Sequence, residues 1–353
     1  MQHPPTYTID LDVDPKDRWK DVTQDYCHLW PLLVEKFDEF EYSFANALET
    51  HLRELGGRDE WMEEMRGIAE QSNECITFES LVCLNLSYEL MEDCGCTSIV
   101  SKRNNTVYLA RTLDWTWTDI LKALTIQVEF VRGGRKLFTS TTIAGYCGVL
   151  TAVRKGLCVS VNYRQDDDCD HTNHAWPIGF LVRHVMTLSN VDYDRAKNIF
   201  SYAYLWSPCY IILAGGGGKG CIITRGQKTV DAYEDLSSST HNVLIQTNID
   251  NERVCDKSYP DFMQSRGRYN DVKEYLETTS KGSRSDMWNV LMLKTVWDQD
   301  TVFGTVMNPD TNQMETRYEA PSKDSSTSSR NVDIRVAILI LALVILFSKV
   351  YIY

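Results

Sequence analysis

The sequence predicts an α+β fold in which helices pack over antiparallel β-sheets. Three observations indicate it: a helical pattern over residues 15–95, a change to short strands from Cys96, and two helices set between two groups of strands. Strands, helices and strands in that order are typical of a layered domain whose helices cover sheets. The chain has 353 residues, enough to bury one sizeable core.

The helical pattern is strongest over residues 33–55, where apolar side chains recur at steps of three or four. This spacing predicts one long amphipathic helix that ends at Gly56. Two shorter helices are predicted over residues 61–70 and 78–90. Two further amphipathic helices are expected within residues 176–205.

From Cys96 onward the pattern changes to short β-branched and aromatic runs separated by turn residues. The predicted strands before the helix pair are TSIV, TVYLA, TIQVEFV, LFTSTT and CVSVNY, and those after it are YIILA, CIITR, VLIQTN, VFGTVM and METRYE. The glycine-rich residues 214–225 contain GxGxxG, but a strand follows where a dinucleotide site needs a helix. We interpret these glycines as a turn between two strands and exclude a nucleotide site.

Composition excludes one class of partner. The net charge is −13 and the pI is near 5.0, whereas binding of nucleic acid phosphates needs basic patches, so no nucleic acid partner is expected. The eleven cysteines are scattered and form no paired CxxC framework. Cys169, His171 and His174 lie close together, but no second cluster completes a tetrahedral site, which favours a surface loop. We expect no metal and no cofactor.

The two ends of the chain differ in their targeting signals. The N-terminus has no apolar region of a cleavable signal peptide. At the other end, a polar linker over residues 321–331 precedes an apolar tail over residues 332–353, which predicts membrane attachment. The tail suits either a short spanning helix or a lipid-anchor signal that is later removed. Sequons at Asn85 and Asn104 are compatible with a glycoprotein, although chance alone could supply both.

The segment DCGCTSIVSKRNNTVYLARTLDW carries two cysteines, a strand pair and an Arg-x-x-Asp motif. A cysteine that begins a strand suits an N-terminal nucleophile: the chain is cut before Cys96, and the freed α-amine, with a pKa of about 7.7–8.0, serves as general base. No histidine is then needed. Cys94 and Cys96 could instead form a redox or metal pair. On spacing alone, a surface salt bridge explains Arg111 and Asp114 at least as well.

The motif CTSIV…ARTLDW resembles the nucleophile strand pair of acid ceramidases and N-acylethanolamine-hydrolysing acid amidases. Further blocks are similar to this family in the same order: PTYTIDLD, AGYCGVLTAVRKGL, IGFLVRHVMTLSNVDYDRAKNIF, GKGCIITR and IQTNID. The resemblance covers roughly residues 5–320 and implies the αββα fold of N-terminal-nucleophile hydrolases. It implies self-cleavage between Gly95 and Cys96, giving an α chain of residues 1–95 and a β chain whose catalytic domain is residues 96–320.

The resemblance also implies the remaining site residues. Cys96 matches the nucleophile, and Arg111 and Asp114 match the paired charged residues. Asn248 matches an asparagine expected to help form the oxyanion hole, and Arg268 matches a later arginine.

Three departures from the family pattern bear on maturation and on the charge balance of the site. Arg266 and Gly267 replace the carboxylates normally found just before Arg268. Tyr163 stands where the family commonly has a glutamate, and Gly95 stands where a bulkier residue is more usual.

The resemblance implies a lipid amidase of the lysosome or secretory pathway that hydrolyses N-acylsphingosine, with apolar walls between the helical segment and the sheet receiving the acyl tail. The expected partners are the lipid amide, the two chains of one precursor, and a membrane through the tail. Two alternatives stay open: an N-acylethanolamine acid amidase, and a catalytically impaired membrane-anchored lipid-binding homologue. Tyr163 and the changes before Arg268 motivate the last.

Overall fold

The computed structural model describes residues 2–35, 59–90, 94–165, 175–239, 241–251, 264–279 and 282–318. Several predicted features lie outside these residues: most of the helix over residues 33–55 with its terminating glycines, the group Cys169, His171 and His174, the linker over residues 321–331, and the tail over residues 332–353. In the described ranges, no helix has both the length and the apolar character needed to cross a bilayer.

Two β-sheets form the centre of the fold. The first has eight strands in the order β1-β4-β5-β6-β7-β8-β9-β10, and the second has five in the order β11-β2-β3-β12-β13. The strands are β1 Thr6–Asp10, β2 Cys94–Arg103, β3 Thr106–Trp115, β4 Thr125–Arg132, β5 Arg135–Ile143, β6 Thr151–Arg154, β7 Leu157–Tyr163, β8 Cys209–Gly215, β9 Lys219–Arg225, β10 Val230–Asp235, β11 Val243–Gln246, β12 Thr301–Asn308 and β13 Gln313–Arg317.

Helices cover the outer faces of the sheets. They are α1 Lys20–Tyr26, α2 Trp30–Val34, α3 Asp59–Gln71, α4 Phe78–Leu90, α5 Thr118–Ala123, α6 Ile178–Thr187, α7 Tyr193–Tyr202, α8 Ser265–Thr279 and α9 Arg284–Leu291. The helices predicted over residues 61–70, 78–90 and 176–205 correspond to α3, α4 and the pair α6 and α7.

The period of two along β2 and β3 divides their side chains between two cores. Val100 and Leu109 point into a core shared with Cys158 and Ile212 of the eight-stranded sheet. Ile99 and Ala110, one residue away on each strand, point into a core with side chains of α8 and α9. The five-stranded sheet is therefore buried on both faces, between the other sheet and a helical layer.

Six elements were missed by the sequence prediction, namely β1, α5, β6, β10, α8 and α9. β1 pairs in parallel with β4, with Thr6 opposite Gln127, and its TYTI run is typical of a strand although the prediction did not include it. Helices α8 and α9 come after β11 in the chain and before β12. For α9 a signal did exist, because Ser283 and Asp286 form a capping box at its start.

The glycine-rich segment forms the predicted turn between two strands. It joins β8 to β9, and Gly217 and Gly218 adopt φ values of 74° and 83°, a region that glycine enters without steric cost. No helix begins there, so the segment holds no dinucleotide fingerprint.

The two sequons differ in accessibility. The Asn85 side chain is buried, donates to the carbonyls of Leu81 and Gly145, and accepts from the Cys147 N–H. Asn104 is exposed at the turn between β2 and β3, with φ of 56°. Only Asn104 of the two lies on the surface, and its glycosylation stays a prediction.

Candidate active site

The pairing of β2 with β3 places the predicted residues on the two faces of one strand pair. In the antiparallel register Gly95 lies opposite Asp114, Cys96 opposite Leu113, and Ser98 opposite Arg111. Because side chains alternate along a strand, Cys96 and Arg111 share the face between the sheets, and Asp114 lies on the face toward α8. The site therefore surrounds the strand that carries Cys96.

On the face between the sheets, the thiol of Cys96 meets a guanidinium. Arg111 Nη2 lies 3.0 Å from Cys96 Sγ and donates to the Val161 carbonyl at 3.2 Å. Its Nη1 donates to Thr151 Oγ1 at 2.6 Å, which fixes the side chain from β6. Both Cys96 and Arg111 are fully buried. The guanidinium of Arg111 is therefore held in place as a hydrogen-bond donor to the sulfur.

The backbone nitrogen of Cys96 is held by Asn248, which follows β11. Asn248 Oδ1 accepts from the Cys96 N–H at 2.8 Å and from Arg268 Nη2 at 2.8 Å. Its Nδ2 donates to the Tyr163 carbonyl at 2.9 Å. Two donors on one side and a carbonyl on the other determine the orientation of the amide. Its carbonyl end therefore faces the nitrogen of the candidate nucleophile.

On the opposite face, Arg268 of α8 reaches the carbonyl of Cys96. Its Nη1 donates to Cys96 O at 2.6 Å and to Thr97 Oγ1 at 2.9 Å, and lies 3.5 Å from Asp114 Oδ2. Arg268 is also buried. Arg268, whose surrounding sequence differs most from the family pattern, thus contacts Cys96 directly.

Asp114 is buried and faces Arg268 rather than Arg111. Thr301 Oγ1 donates to Asp114 Oδ1 at 2.8 Å, and the ion pair of Asp114 within the described residues is with Arg268. Burial raises the pKa of Asp114 to about 6, although the nearby Arg268 opposes this shift. The alternative of a surface salt bridge between Arg111 and Asp114 is wrong, because both side chains are buried and lie on different faces.

The structure brings the five predicted residues together: Cys96, Arg111, Asp114, Asn248 and Arg268. It also adds side chains that the sequence prediction missed, namely Tyr88, Thr151 and Thr301, which contact Sγ, Arg111 and Asp114 respectively. Each of the three lies in a helix or strand without a motif of its own. No spacing signal could have singled them out.

Tyr163, the departure from the family pattern, lies at the edge of this cluster. Its carbonyl accepts from Asn248, and its ring packs edge to face on Tyr88, with centroids 6.4 Å apart. The ring is mostly buried. A substitution here therefore acts directly on the surroundings of the nucleophile.

An apolar cleft lies between α4 and the sheets, where the acyl tail was expected. It is lined mainly by Leu84, Leu113, Trp115, Leu121, Ile143 and Phe303. Its free volume is only about 20 Å³, roughly the room of one water molecule. An acyl chain needs far more room than this cleft offers.

No group of three or more His, Cys, Asp or Glu side chains in the described ranges is arranged to hold a metal ion.

Comparisons with known proteins agree with this geometry. The family model described as the beta subunit of N-acylethanolamine-hydrolyzing acid amidase matches residues 2–53. Acid ceramidase from Pan troglodytes is 30% identical over 349 residues, covering 88% of this chain and 85% of that protein. The chain belongs to the acid ceramidase and N-acylethanolamine-hydrolysing acid amidase family.

Two further matches come from Caenorhabditis elegans. Its N-acylethanolamine-hydrolyzing acid amidase is 29% identical over 336 residues, covering 87% of this chain and 89% of that protein. The solved structure of the amidase ortholog from that organism has a TM-score of 0.53 at 29% identity and covers 64% of this chain and 100% of that one.

The resemblance stated from the sequence is thereby confirmed, as are the α+β fold and an enzyme that hydrolyses amides. The matching family model describes a subunit, which implies a chain that is processed into two. The comparisons leave the choice of lipid amide open, since relatives with both names match about equally well.

Proposed function

We propose that this family member hydrolyses N-acylsphingosine to sphingosine and fatty acid, with Cys96 as the nucleophile. The observation that carries the proposal is that polar side chains contact Cys96 at two of its atoms. Arg111 contacts Sγ at 3.0 Å, and Asn248 accepts from the backbone nitrogen at 2.8 Å. A residue whose sulfur and nitrogen are both held by buried polar groups is suited to act as nucleophile and base together.

Self-cleavage is the first step. The Cys96 sulfur attacks the Gly95 carbonyl carbon, the peptide C–N bond breaks, and the nitrogen takes the thiol proton to become an amine. The resulting thioester is hydrolysed by water, which leaves a Gly95 carboxylate and a free Cys96 thiol. Arg268 holds the Cys96 carbonyl throughout, so the new N-terminus keeps its place.

Lipid hydrolysis then uses the freed amine. The amine takes the thiol proton, the thiolate attacks the amide carbonyl, and the amine returns the proton to the departing nitrogen. Water hydrolyses the acyl thioester and releases the fatty acid. Arg111 stabilises the thiolate, and Asn248 Oδ1 accepts from the amine and orients it. For the predicted oxyanion role, Asn248 Nδ2 has a second N–H beside the one that it donates to the Tyr163 carbonyl.

The proposed chains, residues 1–95 and 96–353, have extensive contacts that would hold them together after cleavage. β1 of the N-terminal segment pairs with β4 over five residues. Glu64 of α3 makes a two-bond ion pair with Arg183 of α6, each contact at 2.6 Å. Glu89 of α4 accepts from the Ile178 N–H at the start of α6.

The deciding test of the nucleophile compares two cysteines that lie two residues apart. Cys96→Ala should abolish both self-cleavage and hydrolysis, because one thiol performs both. The matched control Cys94→Ala should retain much of each. Intact mass reports the two pieces, and a normally processed Cys96→Ala protein would overturn the assignment. A wild type that stays a single chain and hydrolyses neither lipid would favour the impaired lipid-binding homologue.

The substrate test runs two lipids in parallel at acid pH. Purified protein is incubated with a ceramide and with an N-acylethanolamine, and released fatty acid is measured for each. We expect faster release from the ceramide. The N-acylethanolamine amidase alternative is favoured if the order is reversed.

We also propose that the apolar tail over residues 332–353 attaches the enzyme to a membrane of the lysosomal or secretory pathway. The apolar run after a polar linker supports this. Truncation after Asn331 should move the protein from the membrane fraction to the aqueous phase and leave hydrolysis in place. A full-length protein that already partitions entirely into the aqueous phase would overturn this attachment.

A further inference from the structure

The N-terminal segment supplies one side chain to the nucleophile, Tyr88. It lies near the end of α4, where residues 80–89 are all buried. In a helix that is buried all round, a polar atom is retained only where it finds a partner. The partner of this phenol is therefore informative.

The phenol oxygen of Tyr88 lies between a backbone carbonyl and the thiol of Cys96. Its hydroxyl donates to the Val161 carbonyl at 2.9 Å, and the same oxygen is 3.8 Å from Cys96 Sγ. Arg111 Nη2 contacts the same two atoms, at 3.2 Å from the carbonyl and 3.0 Å from the sulfur. Two side chains from different parts of the chain thus flank the sulfur.

Aromatic neighbours fix the ring that carries this hydroxyl. Trp115 packs edge to face on Tyr88 with centroids 6.0 Å apart, and Tyr163 does so at 6.4 Å. Tyr88 itself is almost fully buried. A ring held on two edges in a closed core keeps its oxygen in one place relative to the sulfur.

We propose that Tyr88 is a positioning residue for the Cys96 thiol, in self-cleavage and in lipid hydrolysis alike. The inference rests on the proposed role of Cys96. Because the Tyr88 proton is donated to Val161, the oxygen lone pairs face the sulfur and accept from its S–H group. The thiol is thereby held in one rotamer beside Arg111, which donates to the thiolate once the proton has left.

The position of Tyr88 in the chain has a consequence for maturation. Tyr88 precedes the predicted cleavage point and Cys96 follows it, so the contact becomes one between two chains after cleavage. The α chain would then complete the active site as well as the fold. Removal of the α chain would lower the hydrolytic activity even if the β chain kept its structure.

The test compares Tyr88→Phe with Tyr202→Phe in the full chain. Tyr88→Phe removes one oxygen and keeps the ring packing, and Tyr202, which is 85% exposed, provides a matched control. Three quantities are measured: the rate at which the β piece appears, kcat and KM for the lipid amide, and the rate of Cys96 alkylation by iodoacetamide across pH. Alkylation is followed by mass on the peptide that contains Cys96.

Loss of one hydrogen bond predicts self-cleavage and kcat slower by about 3- to 10-fold, with KM nearly unchanged. The midpoint of the alkylation profile should move to lower pH, because removal of an S–H acceptor destabilises the neutral thiol. Tyr202→Phe should match wild type in all three. An unchanged alkylation midpoint in Tyr88→Phe, with or without a lower melting temperature, would overturn the proposal.

Self-cleavage and alkylation need no lipid, which separates the two proposals. If the wild type hydrolyses neither lipid, the substrate assignment fails, and the Tyr88 inference is still decided by the other two measurements.

Discussion

Two groups of buried charge lie in this fold, and their carboxyl groups differ in how many hydrogen-bond donors surround them. In the Glu64 cluster, which comprises Glu64, Arg183, Arg18 and Trp19, both carboxylate oxygens accept from buried donors at 2.6 to 2.8 Å. In the site cluster, which comprises Cys96, Arg111, Asp114, Asn248 and Arg268, the carboxyl group of Asp114 accepts from Thr301 Oγ1 at 2.8 Å and lies 3.5 Å from Arg268. The carboxylate of the first cluster is saturated with donors, and that of the second has fewer partners.

The pKa values of Glu64 and Asp114 show the effect of this difference. Burial acts to raise the pKa of Glu64, but the charge and hydrogen bonds of Arg183, with those of Arg18 and Trp19, lower it below its usual value. For Asp114 burial prevails and the pKa rises to about 6. The partners of Glu64 keep it ionised, whereas the carboxyl group of Asp114 changes its charge near pH 6, and Arg111 and Arg268 both contact Cys96.

The largest effect is expected from breaking the saturated cluster. Glu64→Gln leaves Arg183 buried without its counter-charge, which should lower the free energy of unfolding by about 3–5 kcal/mol. The neighbouring Glu63→Gln is the control, since Glu63 pairs with Arg66 and Lys16 near the surface and should cost at most about 1 kcal/mol. Urea unfolding measures both. Equal losses would show that the buried ion pair contributes no more than a surface one.

A third buried carboxyl group, Glu89, sharpens the comparison because none of its hydrogen bonds within the described residues comes from a cation. It accepts from the Ile178 N–H, and burial raises its pKa to about 8. The folded state therefore binds a proton that the unfolded state has lost, and stability should fall as pH rises from about 4.5 to 8.

Replacing Glu89 by glutamine, its neutral isostere, tests whether stability falls as pH rises. Glu89→Gln should match wild type near pH 5 and exceed its free energy of unfolding by about 2–4 kcal/mol near pH 8. Urea titrations at several pH values measure the difference. Glu64→Gln, whose effect should vary little over this range, serves as the contrast. A Glu89→Gln protein with the same pH dependence as wild type would contradict the raised pKa.

In the site cluster, Asp114→Asn reproduces the protonated form permanently. Below about pH 5 the wild-type carboxyl is already neutral, so the variant should alkylate Cys96 at the wild-type rate. Above about pH 6 the wild type gains a negative charge that opposes thiolate formation, so the variant should react up to about tenfold faster. Iodoacetamide rates across pH provide the measurement. A ratio that does not change with pH would mean that Asp114 does not titrate in this range.

The smallest effect is expected from adding charge to the site. Tyr163 is neutral at acid pH, and Tyr163→Glu would place a carboxylate near Arg111 and Arg268 to steady the cationic amine. Self-cleavage should become faster, and the activity optimum should move upward by about one pH unit or less. Tyr163→Phe, which adds no charge, should behave as wild type. The time course of β-chain appearance is compared at several acid pH values. Identical curves for Tyr163→Glu and wild type would exclude a charge effect at this position.

Strong local patterns were enough to predict much of the fold. Runs of β-branched and aromatic residues predicted β2 and β3, and helical patterns predicted α3, α6 and α7. The resemblance of one strand pair to the family, rather than spacing, pointed to Cys96, Arg111 and Asp114. β1 was missed although its TYTI run is typical of a strand, and its partner β4 lies more than a hundred residues away.

The sequence by itself determined the family, the strand pair that carries Cys96, and the residue types of the site. Only the tertiary structure decided which atoms meet. Arg268 contacts the Cys96 carbonyl from another layer, and Tyr88 reaches the sulfur from a helix without a motif. The raised pKa of Asp114 likewise depends on burial and on its distance from Arg268. Contacts across layers and desolvation arise from packing of segments far apart in the chain, and no local pattern encodes them.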